Sequence, residues 1–106
     1  MNVNRYLFVM YGPAADTDAD RAAGMALMAE WYRSLGQALV DPGAPFTAAQ
    51  TVSDDGFGEA AGPNATGFNL VQAESMEAAI ELARMCPLLK HGRQVTVFET
   101  LPRQPA

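Results

Sequence analysis

The stretch 5-RYLFVMY-11 is aromatic, β-branched or long and apolar at every position after Arg5, and it stops at Gly12-Pro13. A run of that length bounded by a turn signal predicts a strand buried on both faces. Tyr6, Phe8 and Met10 alternate with Leu7, Val9 and Tyr11, so neither side of the strand is polar. The segment 67-GFNLVQAE-74 repeats the pattern, with Phe68 and Leu70 alternating with Val71 and Ala73. Two strands of this kind in a small domain imply a sheet that needs cover on two sides.

Between them the hydrophobic period changes. From Asp20 onward Met25, Met28, Tyr32, Leu35 and Leu39 recur at three and four residues, which predicts an amphipathic helix of about five turns ending near 39-LVDPG-43. Asp16 and Asp18 precede it, each able to cap or favour its positive end. The segment 40-VDPGAPF-46 reads as a rigid rim loop, because Pro42 and Pro45 fix the backbone and Gly43 allows a bend. A weaker strand follows in 47-TAAQTVS-53, closed by a tight turn at Asp55-Gly56. Ser75 is the expected N-cap of a second helix, in which Met76, Ala79, Ile80 and Ala83 form the apolar stripe and which Pro87 ends. The last strand is read in 93-RQVTVFETL-101.

The resulting order is strand, helix, strand, strand, helix, strand. With right-handed crossovers it gives an α+β, ferredoxin-like βαββαβ domain: a four-stranded antiparallel sheet with two helices on one face. The apolar face opposite the helices is larger than a soluble monomer usually exposes. A second copy burying roughly 800 Å² on each side is an adequate cover. Residues 1–101 are expected to form this single domain, and 102–106, with two prolines, a frayed tail.

The totals narrow the function classes. The chain is 49% hydrophobic and has seven Lys and Arg against twelve Asp and Glu, with no basic run, so it lacks the electrostatic footprint of a nucleic-acid binder. The apolar start before Gly12-Pro13 is too short for a signal-peptide core or a membrane span. One cysteine makes no internal disulfide, and a cytoplasmic protein is expected.

Several segments resemble the YCII-related family of small bacterial proteins: 6-YLFVMYGP-13, 29-AEWYRSLGQALVDPGAPF-46, 66-TGFNLVQAESMEAAIELARMCPLL-89 and 92-GRQVTVFET-100. The resemblance covers nearly the whole chain and rests on packing and turn motifs. It implies a dimeric α+β barrel in which two ferredoxin-like subunits pack sheet against sheet around small cavities. The DGPF signature of a neighbouring group is absent, and no histidine precedes His91, so the early His-Asp pair ascribed to some relatives has no counterpart here. No catalytic residue is carried over.

The only cysteine and only histidine, Cys86 and His91, are five positions apart. Cys86 continues the stripe of the second helix and stands at its C-terminal end, where the dipole disfavours a thiolate, so it reads as packing. A Cys86–His91 metal site lacks further ligands, and neither a metal nor a cofactor is expected. His91 lies in a turn beside Lys90 and Arg93; it is a candidate acid–base group, and the two cations could attract an anionic ligand. Among the large rings Tyr11, Trp31, Tyr32, Phe46 and Phe68, and the strand polar residues Gln50, Asn69 and Thr96, core filling competes with ligand contact. Tyr11, Trp31, Phe46 and Asn69 are the candidate ligand-binding set.

Two functional readings follow. One is a homodimeric small-molecule-binding domain paired through the sheet face. The other, by fold-level analogy, is a cofactor-free isomerase, hydrolase or oxygenase acting on a small cyclic or aromatic metabolite, with His91 as acid–base group and Tyr11 or Asp41 next in line. A protein that acts only by modulating a regulator is a third class.

Overall fold

The computed structural model describes residues 3–13 and 15–102. Apart from Pro102, the expected tail lies outside the described residues. The chain runs β1 (Asn4–Tyr11), α1 (Asp18–Leu35), a 3-10 turn (Gly36–Ala38), β2 (Leu39–Pro45), β3 (Gln50–Ser53), β4 (Gly56–Glu59) and β5 (Ala65–Ala73). It continues through α2 (Met76–Arg84), a 3-10 segment (Pro87–His91) and β6 (Gln94–Glu99). Four strands make one antiparallel sheet in the order β2-β5-β1-β6, and β3 and β4 pair only with each other. This is a mixed α and β fold with two helices. Among the described residues no helix is long and apolar enough to cross a membrane.

The second strand of the sheet corrects the sequence reading. Residues 40–46, expected as a rim loop, contribute most of β2, whereas the weak strand expected over 47–53 supplies β3 of a separate hairpin. Proline misled the reading because it removes a ladder donor, yet an edge strand pairs on one side only and tolerates that loss. Strand β2 borders only β5, and its register shifts between Leu39 and Asp41 and again between Asp41 and Ala44. Gly43 adopts φ 67° there, and a Cβ at that position would collide with the Phe68 carbonyl. The Asp41 carboxylate accepts the Gly43 N–H at 2.8 Å and closes the bend.

Helix α1 begins two residues earlier than expected. Thr17, not an aspartate, is its N-cap, accepting the Asp20 N–H at 3.0 Å, while Asp18 and Asp20 occupy the positive first turn. Ser75 caps α2 as expected, accepting from the Ala78 N–H at 3.1 Å.

Both helices bury residues against one face of the sheet. Tyr6, Phe8, Met10, Val71 and Ala73 meet Trp31 and Leu35 of α1, Ala79 and Ala83 of α2, and Cys86. Trp31, which lies off the expected stripe of α1, stacks on Phe8 with centroids 6.1 Å apart and donates its indole N–H to the Leu82 carbonyl at 3.1 Å. Met25, expected on the inner stripe, is 62% exposed, and Ile80 of the α2 stripe is 41% exposed. The phenol of Tyr6 finds its partner in Glu99, at 3.2 Å. Of the strand polar residues weighed between core and ligand contact, Gln50 and Thr96 are exposed, and Asn69 has no hydrogen-bond partner among the described residues.

Two features keep the chain from closing on itself. On the far face of the sheet Leu7, Val9 and Leu70 remain half-buried, with Phe98 exposed beside them. The β3–β4 hairpin projects from the body, and the Cα radius of gyration is 15.1 Å. A compact domain of this length has about 13 Å.

Candidate ligand groove

Helix α1 docks by its C-terminal end alone. Trp31 and Leu35 are its buried residues, while every residue from Asp18 to Ala23 is exposed. Only the last turns carry a bulky apolar stripe that meets the sheet; the first turns hold Asp, Arg and Ala, which have little to bury. The helix therefore stands off the end of β1, and a groove of about 1170 Å³ opens between its first half, β2, the start of β5 and the 3-10 segment.

The inner wall of the groove is apolar, formed by Met10, Met28, Tyr32 and Leu88. On the β2 side Phe46 and Phe68 stack with centroids 5.8 Å apart and an interplanar angle of 21°. The polar side chains are Asn64, Thr66 and Arg93 at one end, with His91 on the rim, Thr47 after β2, and Asp16, Asp20 and Arg21 along the start of α1. An apolar cleft with a small number of placed polar groups is the usual composition of a small-molecule site. A smaller depression of about 450 Å³, lined by Val3, Arg5 and Leu101, sits where the start of β1 meets the residues that follow β6. There Thr100 donates both its N–H and its hydroxyl to the Arg5 carbonyl, at 3.0 and 2.8 Å, a closed arrangement that serves the fold.

Of the four candidate ligand-binding residues, only Phe46 lines the groove. Trp31 lies in the core with its N–H satisfied. Tyr11, half-buried at the end of β1, is not part of the groove wall. Asn69 is fully buried, and neither its amide nitrogen nor its carbonyl oxygen has a hydrogen-bond partner among the described residues. Burial pushes the Tyr32 phenol up from its ordinary pKa; the nearby Asn69 side chain pulls it the other way and the Cys86 thiol pushes it further up. Asn69 thus lies near Tyr32 without making a well-formed hydrogen bond to it. A strand Asn flanked by Phe68 and Leu70 was the available sign of a polar group held inside.

His91 is exposed, and among the described residues no side chain hydrogen-bonds its imidazole. Asp41 is occupied in the β2 bend. Cys86 is 2% exposed, with Sγ 4.0 Å from the Met28 sulfur. Burial raises its thiol pKa, opposed by the Leu88 and Leu89 backbone and by Arg93, so the neutral thiol is the resting form. Among the described residues no three His, Cys, Asp or Glu side chains are grouped to hold a metal ion. Sequence reasoning missed Met10, Met28 and Thr66 as wall residues, since nothing in their local pattern distinguishes a core position from a groove position.

No family model matches the chain, and no curated protein matches it either. The likeness to YCII-related proteins therefore stands on the quoted motifs alone.

Proposed function

We propose that this chain is a homodimeric, small-molecule-binding protein of the YCII-related type, with the ligand held in the groove between α1 and β2. The observation that carries binding is the groove itself: about 1170 Å³, mostly apolar, with its polar groups gathered at the ends. A ferredoxin-like unit is supported by the strand order β2-β5-β1-β6 with the two helices burying residues on one face; β3–β4 is then an insertion between the second and third strands of that unit. A second copy is supported by the uncovered apolar face around Leu7, Val9, Leu70 and Phe98. We place the protein in the cytoplasm, where the single unpaired Cys86 stays reduced.

Light scattering at micromolar concentration should give about twice the 11.3 kDa chain mass. Leu7 faces away from the helices, so Leu7→Asp should return a folded monomer; a monomeric unaltered chain would remove the dimer. For the groove, a thermal-shift panel of small aromatic and cyclic compounds, neutral and charged, should contain members that raise Tm by binding the folded state. Phe46→Ala should shrink those shifts. No shift across the panel would end the binding reading. The enzyme reading with His91 as acid–base group has less support, because the exposed imidazole has no orienting partner among the described residues.

A further inference from the structure

We propose that the groove selects a small molecule with an apolar body and a carboxylate, and that Arg93 is the residue that receives the carboxylate. This inference rests on the small-molecule reading above and adds the chemical class of the ligand.

Arg93 is held in place by three separate segments of the chain. Its backbone N–H bonds the Leu88 carbonyl at 3.2 Å, which ties it to the 3-10 segment. Its side-chain stem lies against Gly12: a Cβ there would come within 2.9 Å of the Arg93 Cδ and 3.1 Å of its Cα. Gly12 has φ 140°, a backbone state that L side chains rarely adopt, so the Tyr-Gly-Pro turn provides both the bend and the room. That turn is itself clamped, since Gly12 donates its N–H to the Asn64 carbonyl at 3.1 Å and accepts from the Asn64 side-chain amide at 2.9 Å. At the tip, the Arg93 Nη1 donates to the Thr66 hydroxyl at 3.1 Å, and that hydroxyl donates to the Met10 carbonyl at 3.3 Å.

Among the described residues no carboxylate lies within ion-pair distance of the guanidinium so fixed. Among the described residues the ion pairs are Arg21–Asp18, Arg33–Glu30 and Arg84–Glu81, all within helices and exposed. Arg93 is half-buried in the groove wall, and its one side-chain hydrogen bond among those residues uses one of five N–H donors. A partly desolvated cation without an anion is costly, and a planar guanidinium matches a carboxylate through two parallel hydrogen bonds. Pre-fixing the side chain removes most of the ordering cost that a free surface arginine bears on binding. The remaining charges orient the ligand. Asp16 and Asp20 repel a carboxylate from the start of α1, where the Arg21 guanidinium is already paired with Asp18 at 2.7 Å, leaving Phe46, Phe68 and Met10 to meet the apolar body.

The test uses a matched pair of probes, 1-naphthaleneacetate and 1-naphthaleneacetamide, measured by calorimetry on the full chain. The carboxylate should bind about tenfold more tightly or better, a difference of about 1.4 kcal/mol. Its advantage should shrink as salt rises. In Arg93→Gln the carboxylate should lose that advantage, its affinity falling to about that of the amide. Equal binding of the two probes to the unaltered chain, or a preference that survives Arg93→Gln, overturns the assignment and leaves the groove reading intact. If neither probe binds while a member of the thermal-shift panel does, this inference falls and the groove reading stands; if nothing in either set binds, both fall. Should circular dichroism show that Arg93→Gln is unfolded, Thr66→Val decides: it unties the guanidinium without removing it, and an undiminished carboxylate preference overturns the role of the fixed arginine.

Discussion

The centre of the sheet and the β3–β4 hairpin are both antiparallel pairs built from aromatic and β-branched residues, yet they differ in what they bury. In the centre Phe8 pairs with Val97 on one side and Asn69 on the other and is fully covered by α1 and α2. In the hairpin Val52 sits opposite Phe57, and the two are 77% and 74% exposed. Both pairs satisfy backbone donors and acceptors. Only the centre removes apolar surface from water, and a lone two-stranded hairpin is marginal without such burial. Strand pairing therefore sets the geometry in both places, while stability is concentrated in one.

The largest effect should come from breaking the centre. Phe8→Ala leaves a cavity beneath Trp31 and should cost about 3–5 kcal/mol in urea unfolding. A loss near zero would mean that the helices do not rest on the sheet as described. Asn69→Leu sharpens the comparison with the opposite sign. It replaces a buried amide that lacks hydrogen-bond partners among the described residues by a similar apolar shape, so stability should rise by about 1–2 kcal/mol. If stability falls instead, Asn69 has a bonding partner in solution.

Cys86→Ala, at the edge of the core, should cost about 1 kcal/mol. In the folded protein Cys86 should resist a thiol reagent at neutral pH and react promptly once the chain is unfolded; rapid native labelling that increases between pH 5 and 7 would contradict its raised pKa. The same shift fixes a sign for alkaline stability. A raised folded pKa means that the unfolded chain loses its proton first, so the contribution of Cys86 is complete below about pH 8.5 and fades as pH rises through the folded value. Tyr32, raised by burial, adds a second loss beginning near about pH 10.

The smallest effect on unfolding should come from the arm. Phe57→Ser, made in the Leu7→Asp background, should change unfolding free energy by less than about 0.5 kcal/mol. In the otherwise unaltered chain it should weaken self-association if the arm rests on the second copy, measurable by sedimentation across a concentration series. Unchanged association would leave the exposed Val52–Phe57 pair without a role in the proposed dimer.

Much of the fold was legible because its signals are local. The alternation in 5-RYLFVMY-11, the Ser75 cap and the Pro87 stop depend on a few neighbouring residues, and β1, β5, α2 and β6 formed where those signals lie. Strand β2 was not legible, because proline reads as a loop unless the strand is known to be an edge, and edge position is a property of the whole sheet. The Met25–Met28–Tyr32 stripe shows the same limit. A periodic pattern says which side of a helix is apolar, but how much of its length touches the sheet depends on where the other elements end.

By itself the sequence determined the two-faced apolar strands, most helix and strand positions, and the buried setting of Cys86. Tertiary structure alone decided the rest: that 40–46 is an edge strand, that 50–59 stands apart as a hairpin, and that α1 lifts away to open a groove. It also decided which polar residues meet, bringing Gly12, Asn64, Thr66 and Arg93 together from distant parts of the chain. The reason is range: a residue's preferred backbone state is written in its neighbours, whereas a site is made where separate segments converge, and convergence depends on how the whole sheet and its helices pack.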